Sequence, residues 1–316
     1  MTLRFAATRL GMLVVTVLVS SLAIYGAMFL TPGDPATLLV GGSRDPDPAV
    51  LARIRQEYHL DDPFIQGYWQ WLSGCLHGDF GQSLVYRDSV AGLIGARAGD
   101  TLALVGYASV LVLTVGTAIG TVAALRGGRT ETLTTALTAG AMAVPTFIMS
   151  VLLIWLFAVQ LPWFPVYGSG EGMTGTLAHL TLPALALAMT WIGYVAQVTR
   201  TAVRAETRSE HVETARSRGV PEWTVIRRHV LHNASAPVFA VSGVGIAGLI
   251  ATAAVAEQAF GTGGLGALMI EAASKQDMAV VQAVSLIFVV VFVVINTAVD
   301  LVSVALDPRA AQKGAR

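Results

Sequence analysis

Six stretches of this sequence carry no aspartate, glutamate, lysine or arginine: residues 10–30, 101–125, 132–170, 172–199, 229–256 and 278–299. About 20 apolar residues carry a helix across the hydrocarbon core of a bilayer, so each stretch is long enough to span it. Hydrocarbon offers no water to a backbone N–H or C=O, which leaves the helix as the spanning form for such runs. The stretch 132–170 is too long for one crossing and contains Pro162, Pro165 and Gly168. It reads as a helix near 134–160 followed by a loop. The spacing predicts six spans, near 9–31, 100–125, 134–160, 178–200, 237–257 and 280–305, in an all-α integral membrane protein. A mean hydropathy of +0.65, with 54% hydrophobic and 13% charged residues, speaks against a soluble domain.

The first span follows Arg4 and Arg9 and has an alternative reading as a cleaved signal peptide. Its 21 uncharged residues exceed a signal core, and Thr-Pro-Gly-Asp follows in place of a small-x-small site. A retained span is expected. Orientation follows from arginine and lysine. With the N-terminus in the cytoplasm, the inner segments hold fourteen: Arg4, Arg9, Arg126, Arg129, seven arginines from Arg200 to Arg228, and Arg309, Lys313 and Arg316. The outer segments hold six: Arg44, Arg53, Arg55, Arg87, Arg97 and Lys275. Both termini are therefore expected in the cytoplasm of a multi-pass inner-membrane protein. The net formal charge of zero hides this asymmetry. Lipid is a necessary partner, and no nucleic acid is expected. Cys75 is the only cysteine, so neither an intramolecular disulfide nor a thiolate metal cluster can form, and an inert thiol is expected.

The chain divides into 1–31 with the first span, an extracytoplasmic segment 32–99, a core 100–306 with five spans, and a tail 307–316. In the outer segment, TPGDPATLL reads as a turn at Asp34-Pro35. AVLARIRQEYHL at 49–60 has helical spacing of Val50, Leu51, Ile54 and Tyr58. DDPFIQGYWQWL offers Asp62 as N-cap and Pro63 as first helical residue; its Phe64, Tyr68, Trp69 and Trp71 suit a helix at the membrane surface. GDFGQSL at 78–84 reads as a glycine-punctuated turn. This segment caps the spans or docks a partner.

The inner loop 200–237 breaks the pattern most sharply. Arg200, Arg204 and Arg208 recur every four residues along one helix face, with Glu206, Glu210 and Glu213 on another. Glu213 can reach Arg216 at i, i+3. Gly219 fits the left-handed position that closes a helix, and Pro221 starts a second helix with an apolar stripe of Trp223, Ile226 and Val230. Arg227, Arg228 and His229 are placed near that helix's end, where positive charge suits the dipole. The product is helix, sharp turn, helix. Such a hairpin either merely enforces topology or serves as a rigid knob that enters a groove on a soluble partner.

Glu-Thr-Ala at 213–215, then Gly219 and Pro237, resembles the EAA loop of bacterial ABC importer permeases. The resemblance extends over nearly the whole chain, to the permeases of dipeptide, oligopeptide and nickel importers. It is carried by TPGDPATLL, LDDPF, YWQWL, GDFGQSL, ETARSRG, RRHVLHNASAP, VAEQAFGTGGLG and DPR at 307–309. Ala236 and Gly263 depart from the usual Leu and Pro of that family. The resemblance implies a type I importer permease fold and a coupling helix on Glu213, Thr214, Ala215, Arg216, Arg218 and Gly219. Ala215 would be small for close approach, Gly219 would turn the chain, and Arg216 and Arg218 would face the ATPase. It further implies two ATPase subunits carrying ATP and Mg, a second homologous permease, and an extracytoplasmic binding protein. Peptides would be the cargo, with nickel chelates and glutathione-like molecules as alternatives. EQAFGTGGLG would lie at the outer mouth of the path.

The chain's own chemistry fits a non-catalytic subunit. Lys275 and Lys313 are the only lysines, and neither ends a phosphate-binding glycine loop. GTGGLG at 261–266 follows a span and reads as a bend. His179, His229 and His232, the histidines close to spans, lack an acid partner beside them in sequence for intramembrane catalysis. Asp300 reads as a structural hydrogen-bonding carboxylate with Asn296 one turn earlier. A self-sufficient secondary transporter is the rival class, but the sequence shows neither a repeat nor an acid at mid-span.

Overall fold

The computed structural model describes residues 3–30, 34, 36–37, 47–57, 62–83, 85–168, 170 and 172–306. Its helices are α1 (Leu3–Leu30), α2 (Pro48–Glu57), α3 (Phe64–Leu76), α4 (Val90–Arg126), α5 (Gly128–Ala143), α6 (Thr146–Gln160), α7 (Gly172–Thr207), α8 (Glu210–Ser217), α9 (Glu222–Phe260), α10 (Leu265–Ser274) and α11 (Met278–Leu306). A two-stranded antiparallel hairpin, β1 (Gln82–Ser83) and β2 (Asp88–Ser89), precedes α4. Five helices, α1, α4, α7, α9 and α11, are long and apolar enough to cross a membrane. The pair α5–α6 makes a sixth.

The third span corrects the expected single helix at 134–160. It begins at Gly128 and bends by 105° between Ala143 and Thr146. The cause is Pro145: the residue before a proline is pushed out of the helical region, and Val144 sits at φ −86°, ψ 120°. Two other spans also outrun their expected limits. α7 reaches Thr207 through Pro183, and α9 starts at Glu222 and passes unbroken through Pro237. The 200–237 segment is thus mostly helix rather than loop. Arg227, Arg228 and His229 lie within α9, not near its end.

α7 is the central beam. It packs against α4, α5, α6 and α9. Leu187, Ile192 and Val195 from α7 meet Leu104, Ala108 and Val112 of α4 and Leu249 and Ala253 of α9. Small residues set these distances, as in other membrane bundles. A Cβ on Gly120 of α4 would overlap the backbone of α7 at Ala196, and one on Gly248 of α9 would enter the Trp191 ring. The latter lies in the GVGIAG stretch, whose small residues pack helices as expected. Outward-facing side chains such as Val15, Leu102, Leu133 and Val151 remain largely exposed, as suits a lipid-facing surface.

At one end of the bundle the outer segment packs on the spans. α3 starts at Phe64 with Pro63 in the cap position, one residue later than expected. Its Phe64, Tyr68 and Trp71 gather around Tyr25 of α1, and the Tyr68 hydroxyl meets Ser21 Oγ at 2.8 Å. Trp69 and Ile65 stay exposed, consistent with a helix at the membrane surface. α2 buries Ile54, and Asp34 closes its turn and accepts from Arg55 at 2.8 Å. The remainder of TPGDPATLL, together with Leu84, DPR and the tail 307–316, lies outside the described residues. Ser83 Oγ donates to buried Asp277, which caps the N-terminus of α11 through Val280 N–H.

Glu257, at the end of α9, is fully buried. Thr101 Oγ1 of α4 donates to its Oε1 at 2.6 Å, and the Ala267 N–H donates to its Oε2 at 3.0 Å. The Leu265 N–H in turn donates to Thr101 Oγ1 at 2.8 Å. A carboxylate from one helix therefore satisfies the orphan amides that open α10, where Gly264 supplies no side-chain cap. This is where GTGGLG makes its bend: Gly261 is left-handed at φ 61°.

At the opposite end, Arg9 of α1 and Asp300 of α11 form an ion pair at 2.8 Å. Asp300's partner is thus Arg9. Asn296 instead donates to the Phe292 carbonyl.

Two expectations follow from these contacts. Glu257→Ala strands the Ala267 amide and opens a void, at a cost of roughly 2–4 kcal/mol. The thermal midpoint of the detergent-purified protein should fall, with Glu257→Gln intermediate; an unchanged midpoint would mean the buried carboxylate does not hold α10. Burial, reinforced by Asp79, pushes the Cys75 thiol up to about 11. A raised value keeps the thiol protonated at neutral pH, so alkylation should be slow at pH 7 and rise about tenfold per pH unit toward pH 11.

Candidate coupling site

The ten-residue stretch His211–Val220 folds as a short helix standing between the ends of two spans. Three acids, Glu206, Glu210 and Glu213, precede or open α8, and Glu210 and Glu213 lie in its first turn, where they complement the helix dipole. Ser209 takes the cap position in extended conformation. Its hydroxyl donates to the Glu206 carbonyl at 2.7 Å, and so finishes α7 rather than capping α8.

Spacing of i, i+3 gives α8 one buried face. Val212 and Ala215 pack with Val203 of α7 and with Val225, Val230 and Ala234 of α9. Ala215 is 8% exposed among these neighbours. The sequence stripe of Trp223, Ile226 and Val230 is corrected at its first member: Val225 is buried, while Trp223 is 71% exposed. The π-helical winding of Val225–Leu231 accounts for the difference, because it shifts the phase of a 3.6-residue count.

Gly219 closes α8 as its sequence implied. It sits at φ +75°, its N–H bonds the Arg216 carbonyl at 2.9 Å, and the Val220 N–H reaches the Ala215 carbonyl at 3.2 Å. These two bonds are a complete Schellman closure. No neighbouring atom crowds a Cβ at Gly219, so the demand for glycine is purely one of backbone conformation.

Arg216 departs from its expected partner. It does not ion-pair with Glu213; it holds Glu222 through two bonds, Nη2–Oε1 at 2.6 Å and Nε–Oε2 at 3.1 Å. A third bond runs from Nη1 to the Thr207 carbonyl at 3.3 Å. One guanidinium thereby joins the end of α7, the end of α8 and the start of α9. The hydrogen bond to Glu222 raises the arginine pKa further, and bidentate geometry is what arginine provides and lysine does not. On the other side of α8, His211 Nε2 lies 3.0 Å from Asn233 Nδ2 and 3.4 Å from Glu206. The knob is therefore tied at both ends and packed between. Glu210, Glu213, Thr214, Ser217 and Arg218 remain exposed on its free face.

Arg200 and Arg204 do share one face of α7, as their spacing implied. Both donate to Oε1 of Glu131 on α5, Arg200 at 2.9 Å. Arg208 lies just beyond the helix end and is exposed. Sequence reasoning singled out neither Glu131 nor Glu257. Both flank an uncharged stretch, and Glu257 also opens the EQAFGTGGLG segment.

The chain is similar to known proteins over most of its length. The family described as binding-protein-dependent transport system inner membrane component matches residues 116–312, and its N-terminal counterpart matches residues 2–104. A peptide transport system permease protein of Brucella abortus is 35% identical over 305 residues, covering 95% of this chain and 96% of that protein. The glutathione transport system permease protein GsiC of Escherichia coli K12 is 32% identical over 307 residues, covering 97% and 98%. Among solved structures, the MetNI methionine ABC transporter in inward-facing conformations matches with a TM-score of 0.54 at 18% identity, covering 68% of this chain and 96% of that one. The last likeness is one of fold.

The clamp predicts a charge-swap outcome. Arg216→Glu should loosen α8 and speed proteolysis between 207 and 222, whereas Arg216→Glu combined with Glu222→Arg should restore resistance. Equal sensitivity of single and double variants would show that the pair does not hold the knob.

Proposed function

The chain belongs to the family of binding-protein-dependent transport system inner membrane components, and from that premise we propose how its residues move cargo. It is a multi-pass inner-membrane permease of an ABC importer and a non-catalytic subunit. In our reading both termini and α8 face the cytoplasm, where α8 seats in a groove of a partner ATPase. Two ATPase subunits supply ATP and Mg chemistry, a second homologous permease completes the path, and an extracytoplasmic binding protein delivers cargo.

The observation that carries this reading is the double anchoring of a short exposed helix between two spans. A knob packed through Val212 and Ala215 and clamped by Arg216 cannot pivot alone. Force applied to its free face passes to α7 and α9 together. Arg216 is thus assigned to holding the knob rather than to the ATPase surface. Arg218, with Glu213, Thr214 and the exposed Trp223, is left to meet the partner. Aromatic and arginine side chains supply most binding energy at such contacts. ATP-driven closure of the ATPases would then tilt α7 and α9 and switch the access of the path.

Short peptides are the proposed cargo. Relatives named for peptide and for glutathione transport align over almost the whole chain, and glutathione is itself a tripeptide. Nickel chelates are the less favoured cargo. Glu257 and α10, at the bundle end opposite α8, would border the outer mouth of the path.

Two measurements test the coupling. In proteoliposomes holding the complete transporter, Gly219→Val should insert normally yet reduce ATP-driven uptake about tenfold or more, because a β-branched residue resists positive φ. Normal uptake would remove the knob from the mechanism. Trp223→Ala and Arg218→Glu should each weaken co-purification of the ATPase subunits without altering the thermal midpoint of the permease. Undiminished recovery of the ATPase would take both residues off the docking face.

A further inference from the structure

We propose that the arginine ladder Arg200, Arg204 and Arg208 on α7 is a binding site for the phosphate headgroup of an anionic membrane lipid. The ladder begins where hydrocarbon ends: residues 172–199 carry no charged side chain, and Arg200 is the first after them. Arg200 and Arg204 stand about 6 Å apart along one face of α7, and Arg208 follows just beyond its end. They line an open groove of about 330 Å³ with Thr201 and Ala205 between them.

Charge in this groove is unbalanced. Glu131 is the carboxylate bonded there, and it receives one Nη1 donor from each of Arg200 and Arg204. Each guanidinium has five N–H donors, so most of them remain available. Arg200 Nε is buried and has no hydrogen-bond partner. Arg208 forms no ion pair or side-chain hydrogen bond among the described residues. Glu206, whose Oε2 is buried and unbonded, and exposed Glu210 flank Arg208 in sequence but do not line the groove. Among the described residues the groove is therefore lined by three arginines and no carboxylate, in a site open to solvent. A phosphate suits it well, since arginine meets phosphate with paired, charge-assisted bonds.

Free phosphate and a lipid phosphodiester share that chemistry, and the surroundings favour the lipid. The ladder starts directly after an uncharged stretch long enough to span hydrocarbon, so its guanidinium groups stand where a bilayer carries its headgroups. Basic pockets between spanning helices are a recognised setting for anionic headgroups. A headgroup bridging these arginines would link the ends of α5 and α7 on the side of the bundle where α8 projects. This site does not depend on the coupling role of α8.

The test is native mass spectrometry of the purified full-length chain, titrated with phosphatidylglycerol, phosphatidylcholine or inorganic phosphate. Retained phosphatidylglycerol should exceed phosphatidylcholine about tenfold. Arg208→Gln, which breaks no intrachain bond, should lower that retention about fivefold, and Arg204→Gln should do the same. Glu131→Gln should raise it, because the competing carboxylate is removed. Equal retention of the two lipids, or retention unchanged in both arginine variants, would overturn the proposal. Displacement of phosphatidylglycerol by millimolar phosphate would assign the ladder to a soluble anion instead. Protection of the ladder by added ATPase subunits alone, with no effect of phosphatidylglycerol, would assign it to protein contact and equally overturn it.

Discussion

The lack of water in hydrocarbon governs this structure. Every backbone N–H and C=O in a span must find its partner within the chain, and the helix is the local arrangement that provides it. The spans therefore run far beyond the width of a bilayer, and even Pro183 and Pro237 are carried inside helices without ending them. Where the 3.6-residue ladder is disturbed, the chain rewinds locally into π-helix, as at Val112–Gly116, Ile154–Gln160 and Val225–Leu231. Among the described residues only Pro145, preceded by an extended Val144, breaks a span outright.

Charge is placed accordingly. The described carboxylates lie toward the helix ends, and several serve as joints between elements. Glu257 and Asp277 organise one end of the bundle, through backbone amides and hydroxyls. Glu131, Asp300 and Glu222 organise the other, through arginines. Between the ends, contacts are made by small and aliphatic side chains. Such contacts slide at little electrostatic cost, whereas the ends resist separation.

The sequence made the spans legible because charge avoidance in hydrocarbon is severe and leaves long uninterrupted runs. The turn at Gly219 was equally plain, since positive φ is a local demand met by a local residue. Pairings were harder. Arg216 has two acids within reach in sequence, Glu213 at i−3 and Glu222 at i+6, and only the reversal of chain direction at Gly219 brings the second into bidentate geometry. Asp300 found Arg9 across most of the chain, which no spacing rule anticipates. Trp223 was assigned to an apolar stripe with Ile226 and Val230 because a regular helical count was assumed where the helix rewinds. The bend at Pro145 lay within an uncharged run that was read as one span, although the proline itself is the local mark of a break.

Pro237 has a further effect on α9. Its ring nitrogen has no proton for the carbonyl one turn back, which belongs to Asn233, and Asn233 is the residue whose side-chain amide meets His211 of α8. The weakest rung of the longest helix thus coincides with the point where the knob is fastened to it. A brace from α8 therefore meets α9 where its own backbone ladder lacks a rung.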